Sequence, residues 1–388
     1  MSVLLVLLAC DPDPYSSDTA AIAFADEDAD GFGDLDSGVV TCTRPENEAL
    51  YVPRGEDCDD NGCPVEHCGT ISSDETWSAS ASHTVTCELY VQGSGSPVLT
   101  IEDGVTVEIE AGYGIRIGNG SAGALHADGS TSGIVFTSAE SSPAAGDWDG
   151  LYLGDALVDA DSAITGITVE YGGYDGYGGI RIGNNSIEIS DSDIHDNEAS
   201  GIYISSNVTP VITGSTIEDN TEDGLYVLGS LGGDSEFTSN TVTGNGGYAL
   251  KICPNKVYNL DSSSSYSGNT EGGIYVWGGN MSASVTWQAL DDSYYVSDYV
   301  DVQDGSTNTT GTGSPHLTIE DGVEILFAEN ASSASGPMTA STPTAPSTST
   351  AAPPGSPSPL RSLHRQPGTG RGSTSARATA AATPRSPA

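Results

Sequence analysis

Basic residues are scarce in this chain: 11 Lys and Arg stand against 54 Asp and Glu in 388 residues, a formal net charge of −43. A surface this acidic repels phosphate backbones, which excludes nucleic acid as a partner. It favours solubility and the binding of divalent cations, although a solvated acidic surface explains many of the same carboxylates. Large aromatics are few, with only 5 Phe beside 49 Gly, which disfavours one interdigitated core. No window is long enough, or rich enough in Ala, Leu, Glu and Lys, to form a helix. No later run approaches about 18 apolar residues, so no helix spans a membrane. HExxH, GxSxG and P-loop motifs are missing, and the 6 His never pair at metal-ligand spacing.

What the chain does have is a repeat. Units beginning at Gly179, Gly201, Gly224, Ala249 and Gly273 are spaced by 22, 23, 25 and 24 residues. A second column, Asn197, Asn220, Asn245 and Asn269, keeps step, preceded by apolar Ile194, Ile217 and Val242. Fixed-period self-similarity of this kind marks a solenoid. Each unit opens on a strand-like alternation: Ile180-Arg181-Ile182, Ile202-Tyr203-Ile204, Leu225-Tyr226-Val227, Ile274-Tyr275-Val276. Between them lie Asn, Gly, Ser and Asp, which turn the chain tightly. Short strands stacked at about 4.8 Å pair in parallel from coil to coil, aliphatics fill the interior, and the Asn column predicts amide ladders at the corners. The fold class is all-β, a parallel β-helix.

These units closely resemble the right-handed, pectate-lyase-like β-helix repeat proteins of bacterial surfaces. Upstream segments resemble the first coils of that family: Gly69-Thr-Ile71, Thr76-Trp77, Leu99-Thr-Ile101 and Ile134-Val-Phe136, then Gly146-Asp147-Trp148-Asp149-Gly150. The resemblance implies that Trp148 is a packing residue.

Met1–Cys10 reads MSVLLVLLAC and resembles a bacterial lipoprotein signal, which implies export and lipidation at Cys10. The remaining six cysteines, an even number at close spacing, suit an oxidising compartment. Asp26, Asp28, Asp30, Asp34 and Asp36, interrupted by Gly31 and Gly33, present alternating carboxylates around a sharp turn, as a hard cation such as Ca²⁺ requires. Ser37 in the twelfth position departs from an EF-hand. A second cluster, Asp57, Asp59 and Asp60, follows. From Asp26 to Asn61 the chain resembles the metal-binding motif of secreted myxobacterial-type proteins, so both clusters are expected to be calcium ligands; the competing reading is an unliganded acidic linker. Cys42–Cys58 is the expected disulfide, because it closes the loop that brings the two clusters together. Cys68–Cys87 would join the first two strands of the cap, and Cys253 would be a buried free thiol.

Gly118-Asn-Gly120-Ser-Ala-Gly123 matches a dinucleotide fingerprint, but no helix follows it, so these glycines are coil corners. Arg181, Tyr203, Tyr226, Lys251 and Tyr275 occupy the outward position of successive units and could form a sugar-binding stripe; exposed strand positions also favour such side chains without any ligand. Family resemblance supplies the enzymatic rival, a calcium-dependent lyase of acidic polysaccharide, which needs a basic residue to abstract a proton. The Gly-His-Gly and Arg-Ile-Lys signatures of polygalacturonases are missing, so a hydrolase is not expected. The favoured expectation is a structural or adhesive surface protein, secreted or held to the membrane only through Cys10, with glycan as its partner.

Ser96-Pro-Val-Leu-Thr-Ile-Glu-Asp-Gly-Val105 recurs as Ser314-Pro-His-Leu-Thr-Ile-Glu-Asp-Gly-Val323, which predicts a second β-helix starting near Val285. After Asn330 there is no Asp, Glu, Asn, Val, Ile, Phe, Tyr or Trp, and these 58 residues hold 10 of the 20 Pro. Such a tail cannot offset its ordering entropy and is expected to be disordered. A frameshift near codon 331 and a genuine Pro-rich stalk both account for it. The resulting organisation is 1–10 signal, 11–25 tether, 26–68 metal-binding module, 69–284 β-helix, 285–330 second copy and 331–388 tail.

Overall fold

A computed structural model describes residues 64–183, 186–205, 208–229, 231–302, 315–329 and 331, together with the backbone of Ala21–Ala25, Val39–Thr41, Tyr51–Val52 and Met338–Ala340. Cys10, the two Asp clusters and Cys42–Cys58 lie outside the described residues, as does the chain after residue 340. Ala21–Ala25, the end of the segment expected to be a tether, pairs antiparallel with Val39–Thr41 and Tyr51–Val52.

From Pro64 onward the strands pair in parallel and form three ladders. The first runs through Glu75–Trp77, Val98–Ile101, Ala124–Asp128, Ala163–Thr165, Glu188–Ser190, Val211–Thr213 and Glu236–Thr238. The second joins the start of Ser82–Val91 to Thr106–Ile109, Ile134–Ser138, Ile167–Glu170, Asp193–His195, Thr216–Glu218 and Thr241–Thr243. The third begins at the end of Ser82–Val91 and continues through Gly114–Ile117, Gly150–Leu153, Gly178–Ile182, Ser200–Ile204, Leu225–Val227 and Leu250–Ile252. It then passes into Ile274–Val276, Tyr294–Val296 and Ile325–Phe327.

Alternation sets the inside and the outside. In the third ladder Ile180, Ile202, Leu225 and Leu250 lie in register and are buried, as are Ile182, Ile204, Val227 and Ile252. Each such side chain contributes roughly 1.5–3 kcal/mol by leaving water, and the stack repeats the gain on every coil. Trp148 is fully buried, its indole N–H donating to Glu170 O at 2.8 Å.

The Asn column forms the expected ladder. Asn197 Nδ2 donates to Asn220 Oδ1, Asn220 Nδ2 to Asn245 Oδ1 and Asn245 Nδ2 to Asn269 Oδ1, each at 2.9 Å. Each Oδ1 also accepts the backbone N–H of the preceding Asn. The ladder explains the glycine column beside it. A Cβ on Gly179 would lie 2.6 Å from Asn197 Cγ, and one on Gly201 would lie 2.7 Å from Asn220 Nδ2. At these two positions glycine leaves room for the amide, whereas Ala249, the equivalent residue two units on from Gly201, carries a Cβ.

Pairing crosses both boundaries drawn from the sequence. The first rung starts at Pro64, where Pro64–His67 pairs with Ser82–Val85, rather than at Gly69. The segment from Val285 continues the first stack instead of opening a second one: Tyr294–Val296 pairs with Ile274–Val276, and Val285–Trp287 pairs with Leu317–Ile319. Trp287 packs against the turn at Pro254–Asn259 and donates to Pro254 O at 3.2 Å, so no cap separates the copies. Met338–Ala340, within the expected tail, adds one more backbone rung on Leu317–Ile319.

Cys68–Cys87 is a disulfide across the first two rungs. Cys253 is a free, half-buried thiol whose Sγ donates to Gly229 O at 2.7 Å.

Candidate functional site

The outward position of the third ladder is a continuous column. Tyr90, Arg116, Tyr152, Arg181, Tyr203, Tyr226, Lys251, Tyr275 and Tyr295 face one another in register from rung to rung. All five residues singled out from the sequence are in it. Tyr90, Arg116, Tyr152 and Tyr295 escaped that reading, although the same alternation carries them in Leu89-Tyr-Val91, Gly114-Ile-Arg-Ile117, Gly150-Leu-Tyr-Leu153 and Tyr294-Tyr-Val296.

The column concentrates positive charge in an acidic protein. Four Lys and Arg belong to the described residues, and three of them, Arg116, Arg181 and Lys251, stand here. Each has a different environment. Arg116 pairs with Glu88 through Nε and with Asp149 through Nη2 at 2.8 Å. Burial works against its charge, but Glu88 and Asp149 outweigh that and raise its pKa. Burial and then Glu88 push the Asp149 carboxyl up, against the opposing pull of Arg116. Lys251 Nζ lies 2.7 Å from Asp223 Oδ2, a carboxylate 1% exposed, and within 5.4–5.7 Å of the Tyr226, Tyr248 and Tyr275 rings.

Arg181 differs from both. Its guanidinium lies 3.6 Å from the centroid of Tyr177 and 4.7 Å from that of Tyr152. Among the described residues no carboxylate oxygen comes within ion-pair distance of it, and its Nε is buried without a hydrogen-bond partner. Asp175, whose carboxyl is pushed up by burial, is an electrostatic neighbour across the loop and is held by the Tyr177 N–H at 3.0 Å.

Rings fill the spaces between the charges. Tyr203 and Tyr226 are stacked, 5.2 Å apart and 5° from parallel, so each covers a face of the other. Trp277 stands outside this stack, at 70° to Tyr226 and 74° to Tyr275. Tyr248 contacts Tyr275 and Tyr295 from the neighbouring corner, and burial raises its phenol to about 12. Tyr177, Tyr248 and Trp277 had no sequence signal, because they reach the column from turns of unequal length rather than from the repeating strand.

A separate buried cluster sits in the first rungs. His67 and His83 are hydrogen-bonded at 2.9 Å and stacked beside Trp77. His83 Nε2 lies 2.9 Å from Ser78 O. A carbonyl can only accept, so His83 donates there and accepts from His67 Nε2, leaving His67 Nδ1 as the free acceptor, 3.5 Å from Glu75 Oε1.

Residues 125–286 match the family model described as right handed beta helix region. With its stacked parallel ladders, the chain is a right-handed parallel β-helix repeat protein. No curated protein and no solved structure matches it. A β-helix of this kind fits a surface or polysaccharide-related protein, a class in which polysaccharide binding is frequent. No described helix is long and apolar enough to cross a membrane.

Proposed function

We propose that this chain is an exported surface protein with a structural or adhesive role, which holds glycan along the outward column of its third ladder. The observation that carries the reading is the gathering of three cations, and of the tyrosines around them, on one face of a chain with net charge −43. Solubility does not require it, and strand propensity explains tyrosine but not the cations. Sugar rings pack their C–H faces on aromatic faces, which carry negative potential. The stacked faces of Tyr203 and Tyr226 are already occupied by each other, so the partly exposed Trp277 is the better platform, with Tyr248 linked to it through Tyr275.

Export rests on the lipoprotein-like Met1–Cys10, with Cys10 as the anchor. Calcium rests on the donor chemistry of Asp26, Asp28, Asp30, Asp34, Asp36, Asp57, Asp59 and Asp60, all hard oxygen ligands. EDTA should speed proteolysis of residues 26–60, and unchanged proteolysis refutes the calcium assignment. Affinity electrophoresis through gels containing neutral and anionic polysaccharides tests the column. Retardation should weaken in Trp277→Ala; equal migration of both proteins in every gel refutes the site. The lyase alternative is read in the same incubations, because β-elimination creates an ultraviolet-absorbing product.

A further inference from the structure

We infer that Arg181 is the anion-recognition point of this column and that the ligand is a sparsely charged glycan, one carrying isolated carboxylate or sulfate groups on a mostly neutral chain. The inference rests on the glycan reading and adds the ligand's charge to it. The column has three cations, but two are already matched by acids of the protein: Arg116 by Glu88 and Asp149, Lys251 by Asp223. A ligand anion at either of those rungs would have to displace a resident carboxylate. Arg181 alone has no such partner among the described residues. Its Cζ lies over the Tyr152 and Tyr177 rings, which confine the guanidinium without neutralising it. Guanidinium held in this way suits planar, bidentate oxyanions.

The same geometry argues against a polyanion. Rungs repeat at about 4.8 Å, so a polymer with a charge on every sugar would set most of its charges against tyrosines and against Glu88, Asp149, Asp175 and Asp223. With one unmatched cation in the column and 43 excess negative charges in the chain, those further contacts are repulsive. One charge per binding stretch is rewarded; a dense series is not.

The test uses three neutral backbones (a β-1,4-glucan, an α-1,6-glucan and a galactan), each also carboxymethylated or sulfated at low and at high density. Binding of the full chain is measured by affinity electrophoresis. On the backbone bound best, the sparse derivatives should bind about tenfold more tightly than the neutral polymer, the scale of one charged hydrogen-bonded contact, and more tightly than the dense ones. Arg181→Gln should bring the sparse-to-neutral ratio close to one. Arg181→Lys, which keeps the charge but not the fork, should retain part of it. Unchanged thermal unfolding of both variants separates loss of recognition from loss of fold, and Arg181→Lys remains the informative variant if Arg181→Gln does not fold. The carboxylate and sulfate arms identify which oxyanion is preferred. Equal binding of neutral and sparse polymers, a preference that survives Arg181→Gln, or tightest binding of the dense polymers overturns the inference while the glycan site stands. Absence of binding to every polymer overturns both.

Discussion

Asn220→Ala should destabilise the solenoid far more than its size suggests. The Asn220 side chain is buried and has five hydrogen-bond partners, three of them sharing the two N–H groups of Nδ2. Oδ1 accepts from the N–H and the Nδ2 of Asn197, at 3.1 and 2.9 Å. Nδ2 donates to Ile194 O and Glu218 O, both at 3.0 Å, and to Asn245 Oδ1 at 2.9 Å. Alanine leaves the Asn197 N–H without its acceptor and removes a donor from two carbonyls. Asn197 Nδ2 keeps its bonds to Val169 O and His195 O, and Asn245 Oδ1 keeps the Asn220 N–H. Three backbone groups thus lose a partner in a site that water does not reach, at roughly 1–3 kcal/mol for each group left unsatisfied. Allowing for relaxation, the loss is about 3–5 kcal/mol. Asn269, half-buried at the end of the ladder, should cost less when replaced by Ala, and the exposed Thr221 almost nothing. Urea unfolding followed by near-ultraviolet circular dichroism measures all three. A loss below about 1 kcal/mol for Asn220→Ala, or one no larger than that of Thr221→Ala, refutes the argument.

Packing, burial and the disulfide each set a further expectation. Gly201→Ala would set a methyl 2.7 Å from Asn220 Nδ2 and 2.9 Å from Gly224 O; it should cost about 1–3 kcal/mol or more through overpacking, whereas a melting temperature unchanged from wild type contradicts the packing. Burial, and secondarily His83, hold the His67 imidazole at about 4 against an ordinary 6.5. The unfolded chain therefore takes up a proton that the folded chain refuses. Stability from this group is complete above pH 6.5, falls as the pH drops towards 4 and is level below that, a change of at most about 3 kcal/mol. His67→Gln should flatten the fall seen in thermal unfolding over that window, and an equal fall in the variant refutes the assignment. Reducing Cys68–Cys87, which spans a separation of 19 residues, should cost about 3 kcal/mol, read as a lower urea midpoint.

The solenoid was legible because a coil cannot hide its period. Asn220 recurs since each amide needs its neighbour above and below, and Gly179, Gly201 and Gly224 make room for the amides beside them, so geometry is written into spacing. Residues of the third-ladder column were read where coils are short and regular, between Gly179 and Gly273. They were missed at Arg116 and Tyr152, where the turn before Gly150 lengthens to residues 139–149 and the period breaks. The Val285 boundary misled for a related reason: a repeated sequence reports a repeated local environment, here a buried Trp in Trp77 and Trp287, and not the start of a separate body. Contacts from turns of unequal length carry no period. Nothing in the spacing of Tyr177 and Arg181, or of Trp277 and Tyr226, states that these side chains meet, and the His67–His83 pair joins two strands whose register only the fold supplies. Charge matching was equally hidden, since Asp223 and Lys251 are 28 residues apart in sequence and 2.7 Å apart at their tips.

Oxidative footprinting with and without the polysaccharide bound best decides whether glycan lies on the column, because it reports which aromatic rings the ligand covers. Trp277, Tyr248 and Tyr177 should be protected, with no change at Tyr258, an exposed ring on the turn at Pro254–Asn259 outside the column. Protection of Tyr258 without protection of Trp277 would contradict a glycan on the column.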